Sequence, residues 1–286
     1  MDAQIGRGRA SIAPAARCVV VVPCFNEAAR LQPLRFSEFL AEDQQVNFLF
    51  VNDGSSDATL SVLEALRMKH PDRVCVLDKQ PNGGKADAVR CGMLHVIAQE
   101  GIAVTGFWDA DLATPLYVIP QLLRRLTEDP KLEMIFGSRV RLLGHAIHRK
   151  PLRHYLGRCF ATAVSIILEL PIYDTQCGAK LLRITPELGL ILASPFQSRW
   201  IFDVEIIARF MALHNRDASL AAQAIYENPL PRWDDVAGSK VGPLDFFVAF
   251  YELWKIHRSF QRTMRASRKR EQVAIKDPSP SRWPAA

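Results

Sequence analysis

Val104-Thr105-Gly106-Phe107-Trp108-Asp109-Ala110-Asp111 runs an apolar segment into two carboxylates one residue apart. Val104 to Trp108 reads as a strand, and Leu112-Ala113-Thr114-Pro115 leads into a helix near Leu116 to Leu126. A strand ending in Asp-x-Asp offers hard oxygen ligands to one divalent cation, and such a cation can hold a diphosphate. Taken alone, two such acids also suit a solvated loop or a helix cap.

Three upstream stretches repeat the same handover from strand to helix. Val19-Val20-Val21-Val22 has the β-branched composition of a buried parallel strand and closes in Pro23-Cys24-Phe25-Asn26-Glu27. Phe48-Leu49-Phe50-Val51-Asn52-Asp53 breaks at Gly54 and enters a helix through Ser55, Ser56 and Asp57, which read as turn and cap residues. Asn82-Gly83-Gly84-Lys85 is a glycine turn that opens a helix with a lysine. The order predicts an α/β domain with a mostly parallel sheet, whose strand carboxyl ends form the ligand crevice.

As a set, these motifs over residues 19 to 115 resemble the family 2 glycosyltransferases, enzymes of the Rossmann-like GT-A fold. Gly137-Ser138-Arg139, Tyr173 to Lys180, Trp200 to Glu205 and Gly238-Ser239-Lys240 extend the likeness to about residue 258. These later blocks are similar to the dolichyl-phosphate glucosyltransferase and mannosyltransferase branch, most specifically around Gln176-Cys177-Gly178.

The resemblance implies an inverting, metal-dependent transfer of a hexose from a nucleotide sugar, UDP-glucose ahead of a GDP-hexose. The implied acceptor is a polyprenyl phosphate at a cytosolic membrane face. Alternatives are a soluble or protein-bound hydroxyl acceptor, or a protein that binds nucleotide sugar without catalysis. Asp109 and Asp111, flanking Ala110, would then bind Mg2+ or Mn2+. Pro23, Phe25, Glu27 and Asp53 would hold the nucleoside, with Asp53 accepting from a base imide N–H. Gly84 and Lys85 would face the phosphates. Arg139 and Lys240 would hold the acceptor phosphate or the departing diphosphate, and Asp203 would be the base for a hydroxyl acceptor. Gln176, Cys177 and Gly178 would shape the sugar or acceptor pocket. Two departures stand out: Asp87 replaces a small residue, and Ala113 replaces a further metal ligand.

The 286 residues, 49% of them hydrophobic, suffice for one large core. The expected organisation is a flexible segment over 1–16, a catalytic domain over 17–242, an amphipathic basic helix over 243–270 and a tail over 271–286. Met1 to Arg17 has no apolar central run of a secretory signal, and the six cysteines show no paired metal spacing, which suits a cytoplasmic or peripheral membrane protein. No segment reaches the roughly 20 apolar residues of a membrane span. Net charge is +6, yet Lys255 to Arg270 alone carries seven Lys or Arg and no acid. Aromatic residues are not interleaved through this run, which argues against nucleic acid. Apolar residues cover most of the circumference from Leu244 to Ile256, so a membrane surface or a packed partner must cover part of it.

Overall fold

A computed structural model describes residues 18–148, 151–234, 248–259 and 261. The expected segments 1–16 and 271–286, the boundary at 242/243 and Lys240 lie outside the described residues.

The chain runs β1 (Cys18–Cys24), α1 (Pro33–Glu42), β2 (Val46–Asp53), α2 (Thr59–Lys69), β3 (Val74–Lys79), α3 (Lys85–Ile97), β4 (Val104–Trp108) and α4 (Val118–Glu128). It continues through β5 (Met134–Ser138), β6 (Ala146–His148), α5 (Pro151–Leu168), β7 (Ala179–Arg183), α6 (Pro186–Ala193) and α7 (Phe202–Leu213). Then follow α8 (Ala218–Ala224), β8 (Ile225–Pro229) and β9 (Arg232–Asp234). Residues 248–259 are helical.

Seven strands form the sheet in the order β3-β2-β1-β4-β7-β5-β8, and β6 pairs with β9 in a small second sheet. Pairing is parallel except where β7 inserts antiparallel between β4 and β5. The expected mostly parallel α/β sheet is thus present.

Alternation along the strands divides the core between the two sheet faces. Val19 and Val21 of β1, with Leu49 and Val51 of β2, meet apolar residues of α3, α5, α6 and α7. Val20, Val22, Phe48 and Phe50 meet α1, α2 and α4. Both sheet faces are therefore closed by helices, leaving the strand ends as the open edge. Register then fixes the site: β1 aligns Pro23 with Val51, and β4 aligns Trp108 with Ala179.

Candidate active site

Asp109 is the first residue beyond β4, and its N–H donates to the Gly178 carbonyl at 2.9 Å. Its carboxylate rests where a β-carbon of residue 178 would stand, so glycine lets it take this position and a larger residue would push it aside. Lys85 Nζ donates to Asp109 Oδ1 at 2.5 Å. Lys85 opens α3, and its N-cap Gly84 has φ of 87°, a left-handed conformation that glycine adopts without strain. Burial pulls the Lys85 pKa down, but the carboxylates of Asp109 and Asp203 outweigh it and hold the ammonium above its ordinary range.

Asp111 Oδ1 accepts from the Ala113 N–H at 3.1 Å. Burial, then repulsion from Asp109, pushes the Asp111 carboxyl up against the opposing pull of that N–H, Lys85 and Arg30. Ala110 between the two acids is buried. Two carboxylates one residue apart, in a cradle kept open by Gly178, match the hard oxygen donors that Mg2+ or Mn2+ takes alongside substrate phosphates. The described residues contain no group of three or more acids, His or Cys able to cage a metal alone. The pair fits a cation shared with a diphosphate.

On the nucleoside side, the first two loops are laced together. Asn26 N–H donates to Ser55 Oγ at 3.0 Å, Ser56 N–H to Asn26 Oδ1 at 2.9 Å, and Glu27 N–H to Thr59 Oγ1 at 2.8 Å. Asp57 accepts from the Ala28 and Thr59 N–H groups, which is the turn-and-cap role its position suggested. Pro23, next to last in β1, is half-buried, and Phe25 beyond the strand is exposed at the rim. Glu27 takes the Arg30 guanidinium in a two-pronged pair at 2.6 and 2.8 Å.

Asp53 departs from its expected role. It is buried, and its carboxylate accepts from Lys79 Nζ at 2.8 Å, Gly83 N–H at 2.9 Å and Gly84 N–H at 2.7 Å. A carboxylate with those partners ties down the glycine turn from beneath instead of meeting a base imide. Asp87, the unusual residue on α3, pairs with the same Lys79 at 2.9 Å. The departure from the family pattern is thereby absorbed into a local charge network.

Three further expectations change in the same way. Asp203, at the start of α7, is buried and ion-paired with Lys180 Nζ at 2.5 Å, so it does not stand open to a hydroxyl acceptor. Cys177 is fully buried between Gly137 and Thr114, and burial pushes its thiol up to about 11. It belongs to the floor of the site, not the pocket wall. Arg139 is locked in a bidentate pair with Asp174 at 2.6 and 2.7 Å, and its own N–H also donates to that carboxylate at 3.0 Å. Burial lowers the Arg139 pKa, and Asp174 more than reverses this. Of the pocket trio, Gly178 abuts Asp109, and Gln176 Nε2 is buried without a partner among the described residues.

Several contributors were given no role by the sequence. Lys180 donates to the Thr175 carbonyl at 2.9 Å and to the Cys177 carbonyl at 2.5 Å, so one ammonium shapes the loop that ends in Gly178. Glu227 of β8 accepts from the Tyr173 and Asp174 N–H groups, both at 2.7 Å, and so positions the acid that holds Arg139. Arg199 reaches across to the Gly83 carbonyl at 3.3 Å and lies over Gly84. Only the partner that the fold brings to each of these residues reveals its role.

A nucleotide-diphosphosugar transferase sheet of GT-A type, with paired carboxylates at the end of β4, defines the class. The model of the family Glycosyl transferase family 2 matches residues 19–184, and the chain belongs to that family. It is 35% identical over 245 residues to a dolichyl-phosphate beta-glucosyltransferase of Drosophila melanogaster, covering 80% of this chain and 71% of that protein. A dolichyl-phosphate beta-glucosyltransferase of Trichomonas vaginalis is 30% identical over 234 residues, which is 77% of this chain and 65% of that protein. The chain thus spans just under two thirds of that second relative. Among solved structures, glucosyl-3-phosphoglycerate synthase from Mycobacterium tuberculosis, in complex with Mn2+ and UDP-glucose, superposes with a TM-score of 0.53. That match is 20% identical and covers 87% of this chain and 78% of the other, a likeness of fold.

Proposed function

We propose that this protein transfers glucose from UDP-glucose to a polyprenyl phosphate, with inversion at the anomeric carbon. The donor side rests on Asp109 and Asp111, which would hold Mg2+ or Mn2+. When bound, that cation would offset the charge growing on the departing nucleoside diphosphate. Lys85 adds a positive charge beside the same carboxylate, at the start of a helix whose free N–H groups favour anions. The glycine turn held by Asp53 sets the edge against which the diphosphate would lie, while Pro23, Phe25 and Glu27 would border the nucleoside.

The observation that carries the choice of acceptor is the Lys180–Asp203 pair. The acid expected to deprotonate a hydroxyl is buried against an ammonium. A phosphate oxygen is already anionic at neutral pH and needs no such base. What it does need is hydrogen-bond donors and exclusion of water, and Arg139, whose charge Asp174 already balances, would offer only the N–H groups which that pair leaves over. The two relatives named for dolichyl-phosphate glucosyl transfer support the same acceptor class. Mass spectrometry of the product formed from UDP-glucose, Mn2+ and a short polyprenyl phosphate tests the proposal. A glucosyl phosphopolyprenol is expected, and a glycoside formed only on hydroxyl compounds would overturn it.

A further inference from the structure

We propose that the outward faces of α5 and the 248–259 helix form one surface that docks on an anionic lipid bilayer. The proposal deepens the lipid-acceptor reading above and rests on it for its purpose. The 248–259 helix turns Ala249, Leu253 and Ile256 into the core. Its opposite side leaves large apolar groups in solvent: Val248 is 49% exposed, Phe250 40%, Tyr251 59% and Trp254 49%. The Tyr251 and Trp254 rings stack with centroids 6.0 Å apart. Lys255 Nζ lies 5.2 Å from the Tyr251 ring, and the Arg258 guanidinium 4.7 Å from that of Trp254. Cations seated on amphipathic rings suit the headgroup layer, where aromatic bodies meet acyl chains and charges meet lipid phosphates.

α5 continues this face. Phe250 meets Phe160 of α5 edge-on at 5.7 Å, so the two helices are neighbours. Ile166 of α5 is 72% exposed, and Cys159 and Thr162 share its exposed stripe. Charge decides the occupant. Pro151–Leu168 contains no Asp or Glu. The one acid within 248–259, Glu252, is turned inward to accept from the Ser198 hydroxyl at 2.6 Å. A face that is apolar and cationic repels a second copy of itself and attracts an anionic surface. In sequence, the basic run continues beyond this helix to Arg270 without an acid.

The face is also tied to the cleft. Arg158 of α5 donates to the Tyr173 carbonyl at 3.4 Å, next to the Asp174 that holds Arg139. Gln197 Nε2 donates to Ser259 Oγ at 2.8 Å, in the loop that carries Arg199 over Gly84. Docking through these helices would bring both cleft-edge loops to the lipid headgroups, where a phosphate acceptor is found.

Co-sedimentation of the full chain with phosphatidylcholine vesicles, with and without phosphatidylglycerol, tests the inference. Binding is expected to require phosphatidylglycerol and to weaken with salt. Lys255→Glu with Arg258→Glu should weaken it by at least fivefold for each charge lost, on the order expected of a basic residue at an anionic surface. Tyr251→Ser with Trp254→Ser should weaken it further. Both variants should keep transfer to a detergent-dispersed short polyprenyl phosphate. Wild-type transfer without vesicle binding overturns this inference alone, and vesicle binding without transfer overturns the functional reading alone. Unchanged binding in both variants would contradict the assignment of the face. So would a dimer, seen by light scattering, that the Tyr251 and Trp254 changes dissolve.

Discussion

At Gly178 even one methyl group would overlap the Asp109 carboxylate. Gly178→Ala is therefore expected to cut Mn2+ affinity and turnover together, by about a hundredfold in kcat/KM, with only a small loss of Tm. Mn2+ titration by electron paramagnetic resonance reads the metal effect apart from activity. Lys180 carries a different burden, because its ammonium is buried with Asp203 and two carbonyls. Lys180→Met leaves Asp203 buried and unpaired, at a cost of about 3–5 kcal/mol. Lys180→Met with Asp203→Leu removes both charges and should recover most of that loss in chemical denaturation. A fully stable Lys180→Met variant would show that the pair is not buried as described.

The segment from β4 to α4 is a strand, a turn and a helix locked at several points. Trp108 Nε1 donates to the Thr114 carbonyl at 2.8 Å, closing the turn that holds both acids. Asp234 N–H of β9 donates to the Ala113 carbonyl at 3.2 Å, so the small second sheet braces the same turn. Trp108→Phe strands a buried carbonyl, which should cost about 1–3 kcal/mol in urea denaturation and loosen Mn2+ binding severalfold. At this scale much was legible in the sequence. The ends of β1, β2 and β4, the lysine opening α3 and the Asp-x-Asp turn are local patterns of strand, glycine and cap. The helix expected from Leu116 begins at Val118, after two turn residues. The antiparallel insertion of β7 was not legible, because its partners lie far away in the chain and Ala179–Arg183 carries Lys and Arg like an exposed strand. For the same reason Asp203 read as an open acid and Arg139 as an open cation. Each acquires its partner, Lys180 or Asp174, only when distant segments meet.

For the whole molecule, the fold gathers Asp109 and Asp111, the glycine turn and the Arg139–Asp174 pair at the carboxyl ends of the parallel strands. No helix among the described residues is long and apolar enough to cross a membrane. The central claim is that Asp109 and Asp111 serve a cation in transfer to a phosphate acceptor. Its most direct test is nucleoside diphosphate release from UDP-glucose with Mn2+, with and without a short polyprenyl phosphate, in the wild type and in Asp111→Ala. Release that needs the lipid phosphate and falls at least a thousandfold in Asp111→Ala, the order of one strong electrostatic contribution to a transition state, is the expected result. Release that is indifferent to the lipid, or that survives in Asp111→Ala, would contradict it.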